Sequence, residues 1–225
     1  TPAVANTWAD LVVAAKSLGD DLTIDTRFDA EQATFPFGAH IAVVEVDSAT
    51  GKVRLVRHVA VDDCGTVLAP LLVEGQQHGG IAAGVGQALF EEVRFDDDGN
   101  PVTSNLAEYA IPSAAELPSF EVHSTETPTP LNPLGAKGIG EAATIGATPA
   151  VQNAVIDALA HLGVRHIDLP CTPERVWAAI RDARAGTLAD PWSEPPDVFA
   201  RLRADAAAAA ANAEDAEGAA AAEGI

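Results

Sequence analysis

Two short stretches of this sequence place chemically useful residues at telling intervals. The first runs from 71 to 90, apolar and free of proline, with five glycines inside it. Read as a helix, Gly75, Gly79 and Ala83 recur every four residues and share a face, and Gln76, Gly80 and Gly84 form the stripe beside it. Each interior glycine costs about 0.8–1 kcal/mol relative to alanine, so the close approach of another helix or of a bound group must compensate. Helix packing and ligand contact account for the stripes about equally well. Gln76 stands apart, because its amide offers both donors and acceptors beside a glycine-lined face.

The second stretch is Gly135-Ala136-Lys137-Gly138-Ile139-Gly140-Glu141. Three glycines in six residues allow backbone N–H groups to converge on an anionic or oxo ligand. The order is not that of a phosphate-binding P-loop, whose lysine follows the last glycine, nor that of the dinucleotide fingerprint. A small NAD- or FAD-binding oxidoreductase is therefore disfavoured. Glu141 closes the loop and has three readings: a surface residue, a helix-start carboxylate favoured by the dipole, or a catalytic group of the kind that loops carry.

Other constellations carry less. Asp96, Asp98 and Asn100 mimic the start of a calcium loop, but Pro101 occupies the position that needs glycine, so a hairpin turn is expected. The six histidines show no HExxH or paired metal-ligand spacing. His78 reads as a packed or solvated side chain on the glycine-rich helix. Asp62-Asp63-Cys64-Gly65 reads as a strand-terminating turn with a small buried cysteine.

The elements that must position these residues are legible in outline. Thr7 can cap a helix through Trp8, Leu11, Val12 and Ala15, stopped by Gly19. Residues 39–47 and 52–61 read as a hairpin turning at Ser48-Ala49-Thr50-Gly51, and 92–106 as a second one turning at Asp97-Asp98-Gly99-Asn100. Residues 125–134 are proline-rich and irregular. Thr148-Pro149 reads as a cap followed by a first-turn proline, opening a helix with Val151, Val155, Leu159 and Leu162 on one face and Gly163 as the stop. Thr172-Pro173-Glu174 opens another through Trp177 and Ile180. Hairpins and helices mix without strict alternation, so the expected class is α+β. The expected division is a body over 1–185 and a Pro/Ala-rich acidic tail over 186–225, partly helical and poorly ordered towards its end.

With 225 residues and 48% hydrophobic composition, the chain can bury a real core. Its 33 acidic and 13 basic residues give a net charge of −20, which repels phosphate backbones and anionic lipid, so nucleic-acid and membrane-surface partners are excluded. No apolar run approaches the roughly 18 residues of a membrane span, and no basic-then-apolar leader opens the sequence. Cys64 and Cys171 lie far apart, and two reduced cysteines in a cytoplasmic protein is the expectation. Thr1 is small enough to follow a trimmed initiator methionine, and a piece of a longer chain fits equally well.

Three motifs, taken together, resemble the large subunits of molybdenum hydroxylases. They are Asp62-Asp63-Cys64-Gly65-Thr66, then Glu74-Gly75-Gln76 with His78-Gly79-Gly80, then Pro133-Leu134-Gly135 through Glu141. The resemblance spans about Trp8 to Ile180 and is strongest to the aerobic carbon monoxide dehydrogenase group, with xanthine dehydrogenases and aldehyde oxidases more distant. It implies that the chain is the C-terminal part of a molybdopterin-binding domain, with a molybdenum–molybdopterin cofactor in its cytosine dinucleotide form. It also implies that Gln76 meets an oxo ligand, that Gly75, Gly138, Ile139 and Gly140 line the cofactor, and that Glu141 is the catalytic base. The implied reaction oxidises a small substrate (carbon monoxide, an aldehyde or an N-heterocycle) with water as the oxygen source. The implied partners are an N-terminal molybdenum-domain chain or portion, an iron–sulfur subunit and an FAD subunit, since two separated cysteines cannot hold clusters. A non-catalytic structural or assembly module of the same complex is the alternative.

Overall fold

The β-branched run after Phe37 folds as strand β1 (Phe37–Val46), which turns back as strand β2 (Val53–Asp63), antiparallel and with one register shift between Val43 and Val44. The turn closes through Asp47, whose carboxylate accepts from the Ala49 amide and the Thr50 hydroxyl. A computed structural model describes residues 5–27, 29, 32–191, 198, 201–202 and 204. Preceding the hairpin, helix α1 (Trp8–Leu18) has the expected ends, a Thr7–Asp10 capping box and Gly19 in the left-handed region.

A third strand, β3 (Glu121–Thr125), runs parallel to β2 and completes a sheet ordered β1-β2-β3. Sequence patterning does not reveal β3, because only Val122 of its five side chains is even partly buried. One face of the sheet carries Ala42, Val44, Leu55, Ala60 and Val122 towards the core. On β1 the opposite face leaves Ile41 and Val43 exposed.

Helix α2 (Pro70–Leu89) lies across the core face beside α3 (Ala142–Leu159). The glycine stripes of α2 divide between two duties. A Cβ at Gly80 would come within 2.7 Å of the Ala143 Cβ, and one at Gly84 within 2.7 Å of the Ala147 Cβ, so this stripe is a helix-packing seam. Hydroxyls reinforce it, as Thr144 donates to the Gly80 carbonyl at 3.0 Å and Thr148 to the Gly84 carbonyl at 3.3 Å. A Cβ at Gly75 or Gly79 would meet nothing, so packing within this chain does not explain that face.

Two expectations need correction. Helix α3 begins at Ala142, and Pro149 sits inside it rather than at its first turn. Its first two turns bury Ala143 and Ala147 against α2, and that contact outweighs the hydrogen bond that proline cannot make. The second hairpin shrinks to one bridge, Phe95 with Pro101, because Pro101 has no N–H to extend a ladder. Its turn forms as expected: the Asp96 carboxylate accepts from the Asp98 and Asn100 amides.

After α3 a short 3-10 turn (Ala160–Leu162) ends at Gly163 in the left-handed region, and Thr172 caps α4 (Pro173–Ala185) with Pro173 in its first turn, both as expected. Ile81, Val85, Val151, Val155, Val176 and Ile180 form the centre of the core. Cys64 and Cys171 are free thiols, both buried. No helix among the described residues is long and apolar enough to cross a membrane. Most of the expected tail over 186–225 lies outside the described residues.

Candidate functional site

The end of β2 and the glycine loop are strapped together. Gly65 has φ +68°, and a Cβ there would fall 2.1 Å from the Gly135 carbonyl oxygen, so only glycine allows the two backbones to meet. Across that contact the Thr66 amide donates to the Gly135 carbonyl at 3.0 Å and the Lys137 amide to the Cys64 carbonyl at 2.7 Å. Asn132 stiffens the loop from within, since its Oδ1 accepts from the Leu134 and Ala136 amides and its Nδ2 donates to the Ala136 carbonyl.

Asp63 is the hub of this strap. Its fully buried carboxylate accepts from the Gly65 amide at 2.9 Å, the Thr125 hydroxyl at 3.1 Å and the Lys137 ammonium at 3.1 Å. Burial pushes its pKa up, but the Gly65 amide, Thr127 and Lys137 together overcome this and hold it far below the usual carboxylate range. The Lys137 side chain is almost fully buried and also lies over the Phe37 ring at 4.7 Å. Its ammonium is thus committed to Asp63.

Beyond Lys137 the loop comes free. Among the described residues, the amides of Gly138, Ile139 and Gly140 donate no hydrogen bond, and a Cβ at Gly138 would meet open space. The Gln76 side chain from α2 arrives here: a Cβ at Gly140 would lie 3.8 Å from Gln76 Oε1. Glu141 follows at the N-cap position of α3, exposed and with no side-chain cap hydrogen bond. Gly75, Gln76, Gly138, Gly140 and Glu141 are all exposed, and Ile139 is half-buried. A cleft of about 190 Å³ lies beside Gln76 and Ile139, lined also by Cys64, Thr66, Leu72 and Lys137; Gly75, Gly138, Gly140 and Glu141 are not part of its lining.

Residue typing alone singled out Gln76 and overlooked its neighbour. Gln77 is the buried one, donating from Nε2 to Asp62 Oδ2 at 3.1 Å and to the His123 carbonyl at 2.9 Å. Asp62 Oδ1 lies 3.1 Å from His40 Nε2, and His40 Nδ1 lies 3.1 Å from His58 Nε2, so four polar side chains form a chain inside the core. Strand alternation contains the signal: His40 and His58 fall in phase with Ala42, Val44 and Ala60, on the face where apolar residues are expected. The His40 ring also seats α3, since a Cβ at Gly146 would fall 2.6 Å from it. Asp62 is held below the carboxylate range because hydrogen bonds from His40 and Gln77, with the charges of both imidazoles, overcome its burial. His78 is outside this chain, stacked on Phe120 at 5.9 Å.

Burial first, and then the neighbouring His40, push His58 down to about 4. Its Nδ1 is the one buried side-chain nitrogen or oxygen without a partner among the described residues. Unfolded, this ring takes up a proton near pH 6.5; folded, it does so only near 4. The unfolded state therefore binds more protons within that window, and stability falls as the pH drops through it. Between pH 7 and 5 the expected loss from this group is about 2 kcal/mol. Urea titrations at the two pH values test it, and a His58→Phe protein with the same pH slope as the parent would rule it out.

Free amide donors beside an amide side chain suit an oxo- or phosphate-bearing group rather than a bare cation. Among the described residues, no three His, Cys, Asp or Glu side chains lie together as a candidate metal-holding group. The candidate residues lie largely on an exposed face of the chain.

Comparison with known proteins gives a family and relatives. The molybdopterin cofactor-binding domain family matches residues 2–118. The carbon monoxide dehydrogenase large chain of Hydrogenophaga pseudoflava is 42% identical over 155 residues, which cover 69% of this chain and 19% of the relative. The crystal structure of a Cu,Mo-CO dehydrogenase in its carbon monoxide reduced state superposes with TM-score 0.66 at 37% identity, covering 72% of this chain and 20% of that one. Quinoline 2-oxidoreductase from Pseudomonas putida 86 does so with TM-score 0.63 at 48% identity, covering 64% and 18%. The chain thus spans about a fifth of the length of these relatives.

Proposed function

Because this chain belongs to the molybdopterin cofactor-binding domain family, we propose that it forms one wall of a molybdenum–molybdopterin site in an oxidoreductase, with Glu141 as catalytic base. The observation that carries this reading is the approach of the Gln76 side chain to Gly140, beside the undonated amides of Gly138, Ile139 and Gly140, with Glu141 exposed as the next residue. Residues 1–185 constitute the cofactor-domain portion and 186–225 a tail.

Each residue has a stated task. The Gly138–Gly140 amides and the amide of Gln76 hold oxo or phosphate oxygens, while Gly75 leaves room for the cofactor to approach α2. The group bound there, in its cytosine dinucleotide form, supplies a two-electron acceptor for substrate oxidation. Glu141 removes the proton from the water whose oxygen enters the substrate. The remaining wall, and the exclusion of bulk water, fall to an N-terminal molybdenum-domain portion. Iron–sulfur and FAD subunits complete a cytoplasmic complex and carry electrons away. The relatives' names include carbon monoxide dehydrogenase and quinoline 2-oxidoreductase, which supports a small carbon monoxide, aldehyde or N-heterocycle substrate.

Gln76→Ala tests the wall directly. Losing one hydrogen bond in a dry site removes about 0.5–1.5 kcal/mol, so the purified complex should show an altered metal spectrum or lower molybdenum content, with the fold intact. If spectrum, content and kinetics all match the parent, Gln76 has no part in the site.

A further inference from the structure

We infer that the buried Asp63–Lys137 ion pair is a positioning device that sets where Gly138–Glu141 stands. The inference rests on the proposed role of Glu141. Gly138, Ile139 and Gly140 donate no backbone hydrogen bond among the described residues, and the Ile139 carbonyl accepts only from Ala142 at the head of α3, so this segment takes its place from its two ends. One end is fixed by helix packing: α3 lies against Gly80 and Gly84 of α2, and its Gly146 lies against the His40 ring. The other end is Lys137, whose amide bonds the Cys64 carbonyl and whose ammonium reaches Asp63 at 3.1 Å.

Both partners are almost fully buried, and Asp63 is tied in turn to the Gly65 amide and the Thr125 hydroxyl. The ion pair therefore joins three segments, the end of β2, the end of β3 and the glycine loop. Between Lys137 and Glu141 the one backbone hydrogen bond among the described residues is from the Ala142 amide to the Ile139 carbonyl at 3.3 Å, a tie to the α3 end. A displacement at Lys137 passes along the chain to Glu141, because trans peptides fix consecutive Cα atoms about 3.8 Å apart. Reacting groups tolerate little of this, since a misplacement of about 1 Å can lower a rate by about 10²-fold. Asp63 is fully buried, and Lys137, which borders the cleft, turns its ammonium inward to Asp63, so their effect on turnover is through Glu141.

The experiment uses the native assembly carrying Asp63→Asn/Lys137→Met, which retains shape and leaves no stranded charge, and separately Lys137→Arg. At equal molybdenum loading, the double variant should lose about 10–100-fold in kcat, the range for residues that orient others. KM should stay within about threefold, as expected when an interaction is lost in the transition state only. Amide hydrogen exchange at Thr66 and in the loop at Lys137, the two amides that bond across the strap, should accelerate at least about tenfold while the interior of α3, at Val151 and Val155, is unchanged. Lys137→Arg, which retains the charge, should keep kcat within about threefold of the parent. Parental kcat or parental loop exchange in the double variant overturns the inference, as does a loss in Lys137→Arg equal to that of the double variant. Glu141→Gln, measured in parallel, separates the two ideas: if it turns over at the parental rate the base assignment fails, and the exchange comparison decides the positioning alone.

Discussion

A fully loaded Glu141→Gln enzyme turns over about 10²–10⁴-fold more slowly than its parent, the range that general-base catalysis supplies. Glutamine retains the size and shape of the side chain but cannot take a proton at neutral pH. The substitution should be otherwise silent, because Glu141 is exposed at the start of α3, makes no cap hydrogen bond and supports no neighbour. Cofactor retention should survive as well, since the free donors of the loop are the backbone amides of Gly138, Ile139 and Gly140. Molybdenum content is measured first, and rates are compared at equal loading. A loaded variant within about threefold of the parent lies far below the general-base range and would reject the assignment.

Lys137→Met alone should destabilise the fold by about 3–5 kcal/mol, because it strands the Asp63 carboxylate in the interior. Both side chains are almost fully buried, so solvent cannot take over from the lost ammonium. Adding Asp63→Asn removes the stranded charge and should recover much of the loss, since a neutral pair of similar shape avoids an uncompensated buried ion. Against its burial, the Gly65 amide, Thr127 and Lys137 hold the Asp63 carboxyl below the usual carboxylate range, so it is ionised in the folded parent around neutral pH. The gap between single and double variants should therefore persist across neutral pH. Urea unfolding of both proteins measures it. If Lys137→Met unfolds within about 1 kcal/mol of the parent, well below the cost of breaking a buried pair, the carboxylate is not stranded and the hub has been misread.

Local signals and long-range contacts were not equally legible in the sequence. The capping box of α1, the first hairpin and the Thr172-Pro173 start of α4 are written in adjacent residues, and all three form as expected. The start of α3 failed because Thr148-Pro149 is a good local signal overruled by the seam between Ala143, Ala147 and the α2 glycines. Strand β3 was hidden because its neighbours in the sheet come from distant sequence and its own residues alternate weakly. The same holds within the site. Gln76 and Glu141 stood out by residue type beside glycine, and the fold brings their segments together. Lys137 stood out only by its place among the glycines, and its partner is Asp63, which no spacing rule connects to it. The histidine chain under the sheet was readable only after the strand register was known.

The partners Asp63 and Lys137 are 74 residues apart, whereas the first hairpin closes over the few residues between Asp47 and Lys52. By loop-closure entropy alone, bringing Lys137 to Asp63 is about 2 kcal/mol harder than making that turn. The local hairpin can thus form before the glycine loop is drawn in, and we expect the strap to close late, on the native side of the folding barrier. Interactions formed after the barrier govern escape from the native state rather than arrival at it. The penalty of Lys137→Met should accordingly appear as faster unfolding with near-parental refolding. In kinetic terms the strap would then act as a latch: the first hairpin does not wait for it, but once closed it sets how long the folded chain survives.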